Sequence, residues 1–266
     1  MSETVIVLRD LIYAVQDGKP LALDLYLPPV PGLRPLVVWV HGGGWYAGSK
    51  DHCLALSLTD RGYAVASINY RLSHEALFPA QIHDCKGAVR WLRAHAAEYE
   101  LDAGRVGAWG ASAGGHLVAL LGTSGDVAEL EGEVGGNLEQ SSQVQAVCDW
   151  YGPTDMLQVS GFPSEIDHDA PDSAEAKLFG GPIHEKRDLV RLANPITFIR
   201  PAAPPFLIVH GDRDPIVPLH QSEILADALR VAGAQVTFLT VAGAGHGFDD
   251  SLYWRKAAEF FDETLA

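Results

Sequence analysis

Val106-Gly107-Ala108-Trp109-Gly110-Ala111-Ser112-Ala113-Gly114-Gly115-His116-Leu117 is the stretch on which the reading of this chain turns. An apolar run of strand type, 106–109, gives way within three residues to a helical pattern over 112–121, and the junction is Gly110-Ala111-Ser112-Ala113-Gly114. A strand that passes directly into a helix at a serine needs small residues two positions before and two after it, because a larger side chain would strike the strand or the helix. Gly110 and Gly114 meet that need. Such a turn presents the Ser112 hydroxyl beyond the carboxyl end of a sheet, at a helix start whose dipole favours developing negative charge. A glycine-rich turn with an incidental serine is the plain alternative, and the short motif alone leaves it open.

The flanking sequence repeats the same alternation. Apolar runs at 36–40, 63–68, 144–150, 206–209 and 236–241 read as strands buried on both faces, and helical patterns fall at 52–61, 80–98, 219–232 and 251–264. This predicts an α/β fold with a mostly parallel central sheet and helices on both faces. Before it, 5–9 and 21–26 read as strands, and the Asp17-Gly18-Lys19 turn predicts an antiparallel edge. The segment 153–203, rich in Pro, Gly, Asp and Ser, is too long for a plain connection and is expected to form a small lid or pocket wall. The Gly- and Glu-rich stretch 122–142 is expected to be a surface excursion. No internal repeat interrupts the pattern, and 266 residues make one domain over 1–266.

Three further motifs follow predicted strands. His41-Gly42-Gly43-Gly44-Trp45 comes directly after 36–40. Glycines there let backbone N–H groups point into a cavity, and the amides of Gly43, Gly44 and Ala113 are candidate oxyanion donors, each worth about 3 kcal/mol when removed. His41 reads as a residue that orients this loop. His210-Gly211-Asp212-Arg213-Asp214-Pro215 follows 206–209; Asp214 is preferred as the acid because the turn closes through Pro215 just before the next helix, with Asp212 bracing the loop. Gly243-Ala244-Gly245-His246-Gly247 follows the last strand and leaves the imidazole free to turn back over the sheet edge. Ser112, Asp214 and His246 are thus a candidate catalytic triad, in the chain order of α/β-hydrolases. His116, four residues after Ser112, reads as a packing residue, and no histidine has metal-ligand spacing. Trp45, Trp150 and Tyr151 are candidate substrate-binding residues of the pocket wall.

A formal net charge of -15 argues against nucleic acid and anionic membrane as partners. No run approaches the ~20 apolar residues of a membrane span. The chain start lacks a basic, then apolar, export signal, so the expectation is cytoplasmic, or secreted if a leader was removed. Cys53, Cys85 and Cys148 are odd in number and widely spaced, as buried free thiols would be. Neither a metal nor an organic cofactor is needed by a serine triad, and a homodimer is left open.

These motifs, with Ile68-Asn69-Tyr70-Arg71-Leu72-Ser73, Phe78-Pro79-Ala80-Gln81, Tyr151-Gly152-Pro153-Thr154-Asp155 and Asn194-Pro195-Ile196, resemble the esterase and lipase branch related to hormone-sensitive lipase. They are similar in particular to its bifunctional feruloyl and acetyl-xylan esterase group, and the likeness covers most of the chain. The resemblance implies the α/β-hydrolase fold, the same triad and oxyanion donors, and action on short acyl, acetyl or feruloyl esters of small molecules or plant-wall carbohydrates. An amidase or peptidase of the same fold, such as a kynurenine formamidase, is the alternative within enzymes. A non-catalytic ligand receptor is the alternative outside them.

Overall fold

The computed structural model describes residues 4–249 and 251–265. The chain opens with a hairpin, β1 (Ile6–Gln16) and β2 (Lys19–Leu27), turned at Asp17 and Gly18. Both turn residues have positive φ, 51° and 76°, the twist that suits a two-residue hairpin and explains an Asp-Gly pair there. β3 (Arg34–Val40), β4 (Ala64–Ile68), β5 (Leu101–Ala111), β6 (Ala146–Trp150), β7 (Phe206–Gly211) and β8 (Val236–Val241) follow. The sheet order is β1-β2-β4-β3-β5-β6-β7-β8. β3 to β8 are mutually parallel, while β1 and β2 run antiparallel at the edge.

The crossover helices are α1 (Ala80–Ala94), α2 (Ala113–Thr123), the single turn α3 (Ala128–Glu131), α4 (Ala174–Phe179), α5 (Arg187–Ala193), α6 (His220–Val231) and α7 (Ser251–Leu265). α2 is apolar all round and lies in the core, as a helix without a polar face must. α7 buries Ala257, Ala258, Phe260, Phe261 and Leu265 on the opposite face of the sheet. Gly107 is what admits it: a Cβ there would lie 2.7 Å from the Phe261 ring. Two apolar layers therefore sandwich the sheet, the arrangement of the α/β-hydrolase fold.

Several boundaries differ from the sequence pattern. β5 begins at Leu101, which pairs with Arg34 of β3; an irregularity follows before the register resumes with Val106 beside Leu36. α1 stops at Ala94, where the His95 ring stacks on Trp91 and its Nδ1 lies 2.8 Å from the Trp91 carbonyl. The 52–61 pattern forms a 3-10 turn, Leu54–Arg61. Cys85 and Cys148 are buried, while Cys53 is half-buried, and all three are unpaired. No helix among the described residues is long and apolar enough to cross a membrane.

The stretch 122–142 runs mostly along the surface, as expected, but it is anchored to the core. Leu130 is fully buried, and Lys86 and Arg90, buried on α1, reach across to it. Lys86 Nζ donates to the Ser124 carbonyl (2.6 Å) and to Glu131 (3.1 Å); Arg90 pairs with Glu131 and donates to the Val134 carbonyl at 3.0 Å. Lys86 and Arg90 lie four apart and share a helix face, so one carboxylate answers both cations. The segment 153–203 carries α4 and α5, and its Leu178, Phe179, Ile183 and Val190 join the main core.

Glu131→Ala would leave two buried cations without their carboxylate. It is expected to cost about 3 kcal/mol, read as a lower urea midpoint at unchanged m-value. A loss under about 1 kcal/mol would contradict this reading of the network.

Candidate active site

β5 ends at Ala111 and α2 begins at Ala113, so Ser112 is the whole connection. Its backbone is left-handed, φ 56° and ψ -122°, a conformation that costs about 1–3 kcal/mol for a residue with a side chain. The surroundings hold it there. Ser112 N–H donates to the Trp150 carbonyl at 2.8 Å, and the Ser112 carbonyl accepts from His116 N–H at 3.0 Å. A Cβ on Gly110 would strike the Gly114 carbonyl, and one on Gly114 would strike the carbonyls of Val40 and His41. The helix thus meets the end of β3 backbone to backbone.

The acid and histidine loops are laced to each other beyond β7 and β8. Asp212 N–H donates to the Val241 carbonyl (3.1 Å), Arg213 N–H to the Ala244 carbonyl (2.9 Å), and Gly243 N–H to Asp212 Oδ1 (2.6 Å). Asp212 therefore braces the histidine loop, and Asp214 is the aspartate that meets the ring. His246 Nδ1 lies 2.7 Å from Asp214 Oδ2, and His246 Nε2 lies 2.9 Å from Ser112 Oγ. Asp214 Oδ1 accepts from the N–H groups of Ile216 (2.8 Å) and Val217 (2.9 Å). His210 Nε2 stands 3.2 Å from Oδ2, and its Nδ1 lies 2.7 Å from Ser222 Oγ.

Burial works against the Asp214 charge, but hydrogen bonds from His210, His246 and the Ile216 amide outweigh it and hold the carboxyl well below the usual carboxylate range. An ionised carboxylate only accepts, so these partners assign the His246 proton to Nδ1 and leave the Nε2 lone pair facing the Ser112 hydroxyl.

The glycine loop lies against the serine: a Cβ on Gly42 would sit 3.3 Å from Ser112 Cβ. Gly43 and Gly44 take φ 112° and 58°, so side chains there would be strained. The amides of Gly43, Gly44 and Ala113 donate to no other group among the described residues. His41 stacks on Tyr70 (4.3 Å), and its Nδ1 lies 2.7 Å from the Gly42 carbonyl. Burial lowers its proton affinity, which fits a neutral ring bracing the loop.

Two of the three expected pocket-wall residues lie in the core instead. Trp45 is 2% exposed and Trp150 is 0% exposed. Trp45 Nε1 donates to His116 Nδ1 at 3.2 Å, and His116 Nε2 donates to the Ala193 carbonyl at 2.7 Å. Burial pushes His116 down to about 4, so it is a neutral brace joining the glycine loop, α2 and α5. Trp150 packs among Trp109 (5.1 Å), Trp254 (4.9 Å) and Phe248 (4.8 Å) beneath the elbow. Tyr151 does reach the site, its ring centroid 4.9 Å from that of His246.

Sequence reasoning missed Tyr46, which is 46% exposed and whose ring would lie 2.7 Å from a Cβ on Gly44. Lys177 Nζ, from α4, stands 4.6 Å from the centre of that ring. The signal was there in an aromatic residue directly after the glycine loop, but not which of Trp45 and Tyr46 faces out. A cavity of about 360 Å³ lined by Gly122, Asp126, Val144 and Arg200 lies at the other end of the sheet, and a larger one of about 690 Å³ is lined by Leu54, Ser57 and Trp254; neither includes Ser112, Asp214 or His246. Among the described residues no three His, Cys, Asp or Glu side chains converge as metal ligands would.

The chain resembles known proteins in sequence and in fold. The BD-FAE family model matches residues 23–229. The fold superposes on a bifunctional GH43-CE protein of Bacteroides eggerthii with a TM-score of 0.89 and 38% identity, over 98% of this chain and 38% of that one. A truncated carbohydrate esterase from gut microbiota gives 0.89 and 34% identity, over 100% of this chain and 98% of that one. Esterase LipC of Mycobacterium tuberculosis is 32% identical over 255 residues, 91% of this chain and 60% of LipC. The chain thus spans less than two thirds of the length of LipC and of the Bacteroides protein.

Proposed function

The chain belongs to the BD-FAE family, within the α/β-hydrolase fold, and from this we propose that it is a serine carboxylesterase acting on short acyl, acetyl or feruloyl esters, carbohydrate esters among them. What supports this above all is the unbroken line of hydrogen bonds from Asp214 through His246 to Ser112, 2.7 Å and 2.9 Å long. Relatives named as esterases and a carbohydrate esterase add to it.

In the proposed mechanism His246 Nε2 takes the Ser112 proton as Oγ bonds to the ester carbonyl carbon. The carbonyl π pair moves onto oxygen, where the amides of Gly43, Gly44 and Ala113 receive it. The intermediate collapses, the bond to the alcohol oxygen breaks, and that oxygen leaves with the proton from His246. Water then repeats the sequence on the acyl-enzyme, with His246 taking its proton and returning one to Ser112. Asp214 holds the ring in its Nδ1–H form and offsets the imidazolium charge throughout.

The exposed Tyr46 ring beside Gly44 offers a flat apolar surface for a sugar ring or a phenolic acyl group. Lys177 holds that ring from one side.

Hydrolysis of p-nitrophenyl acetate and labelling by a fluorophosphonate probe test the reading together. Ser112→Ala is expected to abolish labelling and lower kcat by at least roughly 10³-fold. Asp214→Asn should lower it by roughly 10³- to 10⁴-fold and Asp212→Asn by less than about tenfold. Ser112→Ala activity within about tenfold of the parent would reject the reading.

Tyr46→Ala is expected to lower kcat/KM about tenfold for feruloyl esters or acetylated xylan and less than about twofold for ethyl acetate. Equal effects on all substrates would remove Tyr46 from recognition.

A further inference from the structure

Outside the proposed triad, half-buried Ser164 and buried His168 and Glu175 form a second constellation in the 153–203 segment. His168 Nδ1 lies 2.8 Å from Glu175 Oε1. His168 Nε2 lies 3.0 Å from the Ile216 carbonyl oxygen and 3.2 Å from Ser164 Oγ. The residue types suggest another hydrolytic relay, but the partners speak against it. The Ser164 hydroxyl faces the carbonyl oxygens of Pro215 (3.2 Å) and Ile216 (3.0 Å), to which it donates. A general base needs a lone pair on Nε2, and a carbonyl opposite Nε2 requires a proton instead. Both ring nitrogens face acceptors, the setting of a doubly protonated imidazolium. Glu175 supplies the opposite charge, and both side chains are buried, with 4% and 5% exposed.

The position of this pair is what gives it consequence. Pro215 and Ile216 belong to the turn 214–217 that carries the proposed catalytic acid. From outside, that turn receives two bonds from Ser164, one from His168 and a fourth from Glu165 N–H to the Pro215 carbonyl at 2.7 Å. From inside, its Ile216 and Val217 amides donate to Asp214 Oδ1. One stretch of backbone is thus gripped by the insertion on one side and grips the carboxylate on the other.

We propose that His168, as an imidazolium paired with Glu175, is a positioning residue that clamps the insertion onto the 214–217 turn and so fixes the Asp214 carboxylate for His246. This rests on the triad reading of Ser112, Asp214 and His246. Burial alone would lower the proton affinity of His168; the hydrogen bond and charge of Glu175, the Ile216 carbonyl and the charge of Asp169 outweigh it and raise it above the ordinary imidazole value. Those are the groups facing the ring: Glu175 from α4, Asp169 from its own segment, and from the turn only a carbonyl, since Asp214 is directed to His246 and His210. A raised folded-state value means that the clamp is fully present below the unfolded imidazole value and is lost as pH rises through the folded one.

The test is kcat and KM for p-nitrophenyl acetate on the full chain across roughly pH 5 to 10, with spontaneous hydrolysis subtracted, for the parent, His168→Gln and Glu175→Gln. The parent should lose kcat on the alkaline side through an ionisation that His168→Gln lacks. His168→Gln should lower kcat about tenfold at neutral pH with KM within about twofold. Glu175→Gln still accepts the Nδ1 proton but removes the charge, and should move the alkaline limb to lower pH by about one unit. An alkaline limb unmoved in Glu175→Gln, or His168→Gln kinetics matching the parent throughout, would overturn the clamp while leaving Ser112→Ala inactive. Activity surviving in Ser112→Ala would instead fell the triad reading, and the clamp with it.

Discussion

The left-handed backbone at Ser112 is the constraint on which the rest of the site depends. It persists because β5 and α2 are joined by that one residue and because α2 is pressed against the carbonyl ends of β3, where Gly114 leaves no room for a methyl group. The strand end that crowds the helix also launches the glycine loop. The proposed nucleophile and oxyanion donors are therefore set by one packing contact rather than by two independent loops. Sheet register carries the relation further: Gly110 lies beside Val40 on one side and Asp149 on the other, so β3, β5 and β6 end level with one another.

Against that fixed end, the acid and histidine arrive on loops tied to each other by backbone hydrogen bonds, with Asp212 as the brace and Asp214 as the partner of the imidazole. The buried histidines around them have been given opposite electrostatic fates by their partners. His116 faces a donor and a carbonyl, stays neutral, and serves as a strut. His168 faces a carboxylate and a carbonyl, and its proton is favoured. Similar burial yields different chemistry because the second partner differs.

Much of this was legible in the sequence, for reasons that differ from element to element. The parallel strands announced themselves as uninterrupted apolar runs, and the Ser112 elbow, the glycine loop and the Asp214 and His246 loops each followed one of them. These motifs are short because backbone geometry alone dictates them. Orientation was not legible: Trp45 and Tyr46 are adjacent aromatics, yet Trp45, at a positive φ of 60°, is buried and bonded to His116 while Tyr46 is exposed. Nor were the long-range polar anchors. Glu131 with Lys86 and Arg90, and His168 with Glu175 and Ile216, join residues whose pairing no local period encodes. The stretches 122–142 and 153–203, polar by composition, are held to the core by such bonds and by a few buried apolar residues such as Leu130 and Leu178.

The most direct measurement is mass spectrometry of the protein quenched in acid shortly after mixing with p-nitrophenyl acetate. One acetyl group on the peptide carrying Ser112, absent when His246 is replaced by alanine, is the predicted result. Ester turnover with no acyl adduct on Ser112, or with the adduct on another residue, would contradict it.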